Sequence, residues 1–214
     1  AATLGRKIKV IGVQAKNASP YVQSVKLGRP IEQQIQRTIA DGIAVSKPGA
    51  IPFALIKKNI DKVVTVSDDE IAKAIVLLLE RSKMVVEPAG AVGVAAIMSG
   101  AIKLKGKTVV ILSGGNIDPL LMQKVISRGL LAAERYTSIS VMLPDRPGML
   151  VKTAEAIAKA HGNVVEVLHT RQGKGLEISE VELKMSVETT GREHRQRVLQ
   201  ALHDAGLNAR IEED

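Results

Sequence analysis

Two kinds of apolar strand pattern share this chain, and no single sheet accommodates both. Ile139, Val141 and Leu143 alternate with Ser138, Ser140 and Met142, and Val181, Leu183, Met185 and Val187 alternate with Glu180, Glu182, Lys184 and Ser186. Such alternation suits a sheet buried on one face. Residues 7–14 (KIKVIGVQ) and 107–112 (KTVVIL) instead carry apolar side chains on both sides, as parallel strands covered by helices on both faces do. The chain is therefore expected to hold two domains of different architecture, changing over near residues 131–135.

The turn and cap signals divide each part further. Residues 15–49 read as loop with a short helix, 50–59 as helix and 62–66 as strand. Ser67 and Glu70 form a capping box that opens a helix to about residue 83, its apolar face being Ile71, Ala74, Ile75, Leu78 and Leu79. A second helix, 89–99, follows VVEPAG. Strands alternating with helices make this part α/β. In the second part, PDRPG (144–148) turns the chain into a helix carrying Leu150, Ala154, Ile157 and Ala158, with Gly162 suited to its C-cap. Residues 163–171 and 176–188 form a hairpin about QGKG (172–175), and a helix at 191–205 and a strand at 207–211 complete the ferredoxin-like order βαββαβ.

Composition narrows the function. The chain has no cysteine, which removes disulfides, thiolate metal sites and cysteine nucleophiles and fits a reducing, cytoplasmic setting. No apolar run approaches the ~18 residues of a membrane helix. The net charge of +8 is uneven: residues 1–135 hold 20 Lys/Arg against 10 Asp/Glu, and residues 136–214 hold 10 against 12. Because the lysines are scattered singly with no aromatic residues between them, the basic half reads as a solvated surface and not as a nucleic-acid interface. The four histidines fall in the second half without ligand spacing, and no metal is expected.

The second domain, with DRPGML (145–150) between its first strand and helix and GNV (162–164) opening its second strand, resembles the ACT domain, a regulatory module that binds free amino acids. The resemblance implies an effector site built from Asp145, Pro147, Gly148, Met149, Leu150, Asn163 and Val164. Backbone N–H groups of Gly148 and Met149 at a helix N-terminus would favour a ligand carboxylate. It also implies a homo-oligomer, since in this family the ligand sits at an interface between two such domains.

In the first domain, TIADGIAVSKPG (38–49), VVEPAGAVGVAA (85–96) and VVILSGGNID (109–118) resemble, in order and spacing, the carboxyl-terminal part of the threonine dehydratase (threonine ammonia-lyase) family. These are pyridoxal-phosphate enzymes of the tryptophan-synthase-β-like fold (fold type II). The resemblance implies a cofactor-domain portion at 1–130, a linker at 131–137 and an ACT domain at 138–214. It further implies that the Ser113 hydroxyl bonds the cofactor's pyridine nitrogen, that Gly114 and Gly115 let backbone approach the ring, and that residues 116–118 close the turn. Asp41 and Gly42 would border one cofactor face, and Glu87 would point into the same cleft as an orienting or proton-handling carboxylate. A hydroxyl partner leaves the ring nitrogen largely unprotonated, which suits elimination of a β-hydroxyl.

The departures from the family pattern are as informative. Its Schiff-base lysine and its tetraglycine phosphate loop match nothing in these 214 residues, so the chain is expected to be part of a longer enzyme and inactive alone. The acidic metal cluster of a relative is replaced by Gln14, Ala18 and Pro20. The competing expectation is a non-catalytic amino-acid-binding protein, in which the first domain only supports the sensor.

Overall fold

The computed structural model describes residues 8–171 and 179–212. It is a mixed α/β chain of two compact units that meet between Gly129 and Leu130.

In the first unit, β1 (Ile11–Ala15) pairs in parallel with β2 (Lys62–Val66), Gly12 opposite Val63 and Gln14 opposite Thr65. Helices α1 (Pro20–Leu27) and α2 (Ala50–Asn59) lie between them in sequence. The capping box then starts α3 (Asp68–Leu77): the Glu70 N–H donates to Ser67 Oγ at 3.3 Å and the Ser67 N–H donates to Glu70 Oε2 at 2.7 Å. Ile71, Ala72, Ala74 and Ile75 are fully buried. A π-helical turn, Leu78–Ser82, prolongs α3 and ends at Lys83, whose φ of 55° is left-handed. α4 (Pro88–Met98) buries its small residues Ala91, Ala95 and Ala96 in the same core. Small side chains there let two helices approach closely, so backbone carbonyls and glycines become part of the packing.

Residues 107–112 depart from the expected strand. Val109 is 89% and Ile111 82% exposed, while Val110 stands against Gly93 of α4 and Leu112 packs on the core. Half of the double-sided pattern is thus satisfied by the helix. The other half has no sheet neighbour among the described residues, and without a hydrogen-bonded neighbour the segment is not a strand. α5 (Pro119–Ala132) follows, with Asp118 as its N-cap accepting from the Leu120 and Leu121 N–H groups at 2.9 and 3.1 Å.

The second unit comprises β3 (Tyr136–Pro144), α6 (Met149–Lys159), β4 (Asn163–Thr170), β5 (Glu180–Glu188), α7 (Arg192–Asp204) and β6 (Asn208–Ile211). Its antiparallel sheet has the order β4-β5-β3-β6. Ile139, Val141, Leu183 and Met185 bury one face against Ile157, Val198 and Leu202 of the two helices. Each such side chain contributes roughly 1.5–3 kcal/mol relative to exposure. The expected turn at 172–175 lies outside the described residues. Gly162 is not the left-handed cap of α6: His161 takes that conformation, with φ 63°. Gly162 is instead required by packing, since a Cβ there would stand 2.7 Å from Ile157 Cγ2 and 3.0 Å from Val187 Cγ1. Among the described residues, no helix is long and apolar enough to cross a membrane.

The other sheet face is polar and internally bonded. Ser140 Oγ donates to Glu182 Oε1 at 2.6 Å, and Lys184 and Arg210 lie at 3.9 and 3.3 Å from the same carboxylate. The Ser140 bond, aided by the two cations and opposed by burial, holds the Glu182 carboxyl below its ordinary range. A carboxylate so depressed stabilises the fold above the ordinary glutamate value and loses that contribution as pH falls through the depressed one. Glu182→Gln should therefore flatten the acid limb of the unit's stability curve, measured by denaturant unfolding at neutral and acid pH. A limb as steep as that of wild type would show that Glu182 is not coupled to folding.

Candidate functional site

Three expected site segments converge on one carboxylate. Glu87 is the N-cap of α4: its carbonyl accepts from the Gly90 and Ala91 N–H groups, leaving its side chain to project from the helix start. It faces Gly114, whose φ is 77° and where any Cβ would overlap the carboxylate, 2.6 Å from Oε2. It also faces Gly42, where a Cβ would stand 3.8 Å from Glu87 Oε1 and 3.2 Å from Ala89 Cβ. The backbone closes the arrangement, because the Glu87 N–H donates to the Gly114 carbonyl at 3.2 Å. Asp41, Gly42, Glu87, Pro88, Asn116, Ile117 and Asp118 line a single cavity of about 500 Å³.

Asp41 and Gly42 occupy a 3-10 turn, Asp41–Ile43, in which Asp41 Oδ1 accepts from the Gly42 N–H at 2.8 Å. Ser113 borders this cavity without lining it. Its carbonyl is pressed into α4 at Gly90, where a Cβ would overlap that oxygen and lie 2.8 Å from the carbonyl carbon. Its side chain is exposed and hydrogen-bonds no other described residue. Gly115 also packs on the Val85 carbonyl, which would stand 3.2 Å from a Cβ there. The SGG turn thus lies backbone-to-backbone on residues 85–90, a geometry that side chains would forbid. The glycines make room for Glu87 and for neighbouring backbone, and they leave the Ser113 hydroxyl exposed and the Glu87 carboxylate at the cavity wall, polar groups of the kind a planar, polar cofactor would need.

The effector residues divide into two groups. Asp145, Pro147, Gly148, Met149 and Leu150 line a cavity of about 300 Å³ over Leu143, Val181 and Leu183. Gly148, with φ 87°, is the N-cap of α6. Asn163 and Val164 are elsewhere: the register sets Asn163 opposite Glu188, which faces Tyr136, whereas the cavity adjoins Pro144 at the other end of β3. Eight residue steps along a strand separate those ends by roughly 27 Å. Asn163 Nδ2 and Tyr136 Oη both donate to the Glu188 carboxylate at 2.9 Å, holding it below its ordinary range. Within one chain, Asn163 and Val164 therefore do not join residues 145–150. His169 and Arg171 complete the cavity instead, Arg171 Nε donating to Asp145 Oδ2 at 3.1 Å. They were invisible to motif reading because only the β4–β5 pairing brings that strand end beside residues 145–150.

Gln14, Ala18 and Pro20, expected to replace a relative's metal cluster, are taken up by packing. Ala18 and Pro20 are buried, and Gln14 accepts from the Tyr21 N–H at 2.9 Å. Among the described residues, no group of three or more His, Asp or Glu is placed to hold a metal ion.

Comparison with known proteins assigns a family to each part of the chain. The family described as pyridoxal-phosphate dependent enzyme matches residues 1–114, and the ACT domain matches residues 137–207. An L-threonine ammonia-lyase of Geobacter sulfurreducens is 44% identical over 200 residues, 93% of this chain and 50% of that protein. An L-threonine ammonia-lyase of Thermotoga maritima is 39% identical over 210 residues, 98% of this chain and 52% of that protein. The solved processed form of threonine deaminase isoform 2 from Solanum lycopersicum superposes with a TM-score of 0.50 at 31% identity, over 56% of this chain and 36% of that one. The chain spans about half the length of the curated relatives it matches. With more than half of its residues in the matched segment and the glycine cradle in place, the chain belongs to the pyridoxal-phosphate dependent enzymes and carries an ACT domain behind that segment.

Proposed function

We propose that these residues supply the cofactor-facing cleft and the regulatory unit of a threonine ammonia-lyase, a cytoplasmic enzyme converting L-threonine to 2-oxobutanoate and ammonia. The observation that carries the reading is the convergence of Gly42 and Gly114 on Glu87, with Gly42 and Glu87 lining one cavity, on segments that align with L-threonine ammonia-lyases.

Pyridoxal phosphate, when bound, supplies an electron sink for the carbon from which a proton is removed. The chain's own residues set how it is held. The Ser113 hydroxyl would donate to the pyridine nitrogen. Gly114 and Gly42 keep side chains out of the space beside Glu87, and Asp41 borders that space. The half-buried Glu87 carboxylate orients the bound groups or holds a proton near the reacting carbon.

The regulatory unit takes an amino-acid effector at Asp145, Pro147, Gly148, Met149 and Leu150. Because Asn163 and Val164 lie at the far end of the same sheet, they reach this site from a second copy of the chain. Edge strand β4 supports that association, with Val165, Val167 and Leu168 51%, 42% and 59% exposed.

The test uses the full-length protein with pyridoxal phosphate and L-threonine. Equal amounts of 2-oxobutanoate and ammonia should form, and removal of the cofactor should stop both. Product formation that ignores the cofactor, or none from threonine with the cofactor bound, would sink the reading.

A further inference from the structure

The first turn of α3 carries three acidic residues with three different partners. Glu70 closes the capping box on Ser67, and Asp69 accepts from Arg128 Nε at 2.6 Å. Asp68 alone reaches back to the segment before the cofactor cleft. Its Oδ1 accepts from Thr38 Oγ1 at 2.5 Å and its Oδ2 from the Ile39 N–H at 3.2 Å. The Thr38 oxygen also accepts from the Ala40 N–H at 3.2 Å.

One carboxylate and one hydroxyl therefore fix three consecutive residues, and the next two are Asp41 and Gly42. Ala40 is fully buried, so the chain enters the Asp41–Ile43 turn from a fixed point. The clearance beyond is narrow: a Cβ on Gly42 would already press on Ala89, 3.2 Å away. Small displacements of residues 38–40 would reach the cavity as changes in where Gly42 stands relative to Glu87. Asp68 itself lies outside that cavity, in an adjoining one of about 310 Å³ that shares Asp41 and Leu121 with it. Hydrogen bonds to an ionised acceptor are roughly twice as strong as neutral ones, which makes a carboxylate a better anchor than an amide of equal size.

We propose that Asp68 and Thr38 are positioning residues for the cofactor cleft, holding residues 38–43 so that Gly42 and Asp41 keep their places beside Glu87 in the wall of the cavity that would take the cofactor. The inference rests on the cleft assignment above and adds to it two residues that touch neither cofactor nor substrate.

The test compares Thr38→Val, Thr38→Ser and Asp68→Asn in the full-length protein, freed of cofactor and titrated with pyridoxal phosphate by absorbance. Melting temperature and the kcat and KM for threonine are followed in parallel. Thr38→Val and Asp68→Asn should each weaken cofactor binding roughly tenfold, with the melting temperature lowered by no more than about 2–4 °C. The double variant should be no weaker than either single one, and Thr38→Ser, which keeps the hydroxyl, should restore binding to within about twofold. Three results would overturn the proposal: wild-type affinity in Thr38→Val, equal loss in Thr38→Ser, or losses that merely track a falling melting temperature. Ser113→Ala run alongside separates the two levels. If it weakens binding while Thr38→Val does not, the cleft stands and the positioning role falls; if it changes nothing, the cleft assignment fails and this proposal with it.

Discussion

Gly90→Ala is expected to destabilise the first unit by about 3 kcal/mol, although helix propensity alone favours alanine over glycine by roughly 1 kcal/mol. The packing decides the sign. Gly90 is a buried residue of the first turn of α4, and a Cβ there would overlap the Ser113 carbonyl oxygen, lie 2.8 Å from its carbon and 3.0 Å from Val86 Cγ1. Backbone cannot rotate aside as the end of a side chain can, so either α4 or the SGG turn must move. Gly93 of the same helix supplies the control. Its Cβ would meet only Val110 Cγ1, at 2.7 Å, and Val110 sits on a segment that is not held in a sheet. Gly93→Ala should therefore cost clearly less than Gly90→Ala, read from urea midpoints of the two variants at constant slope. The consequence of Gly90→Ala for function follows from the same contact, because Ser113 and Gly114 are displaced together. A variant as stable as wild type would mean that the SGG turn does not rest on α4.

How far the fold was legible depended on whether its signals were local. The capping box at Ser67 and Glu70 closes within four residues, and the structure forms both of its bonds. The βαββαβ order was legible because alternation and helical spacing repeat within each element, and the sheet buries the alternating set. Residues 107–112 misled because a doubly apolar segment reports only that two faces want burial, not what will cover them; α4 covers one. α5 is only weakly marked: Leu121, Met122 and Val125 stand at helical spacing against the first core, but Val125 and Gly129 are its only buried residues. Gly129, which looks like a helix stop, is instead a contact point, 2.6 Å from Val76 Cγ2 and 2.7 Å from the Ala72 carbonyl if given a Cβ.

The same distinction holds for the sites. The glycines and Glu87 were reached through motifs, since each sits in a contiguous signature. Asp68 lies inside the capping-box motif, and its bond to Thr38 spans 30 residues that no local pattern connects. Asn163 and Val164 were grouped with residues 145–150 by motif, and strand register set them apart.

Ser113→Ala carries the heaviest functional consequence, since it removes one hydroxyl and leaves the backbone cradle intact. The side chain is exposed at the end of a segment whose carbonyl is anchored on α4 and whose successor, Gly114, is fixed by the Glu87 N–H. Loss of the hydroxyl should therefore not propagate into the fold, and surface substitutions of that kind stay within about 0.5 kcal/mol of wild type. A pyridine nitrogen deprived of its donor once the bound cofactor has displaced water costs on the order of 2 kcal/mol, equivalent to roughly 10- to 100-fold in affinity. Threonine turnover should fall sharply with it. The decisive measurement is an equilibrium titration of pyridoxal phosphate into cofactor-free full-length protein, wild type against Ser113→Ala, with melting temperatures recorded on the same samples. A dissociation constant raised roughly 10- to 100-fold at unchanged melting temperature is the predicted result; an unchanged constant would contradict the assignment of this turn as the seat of the cofactor.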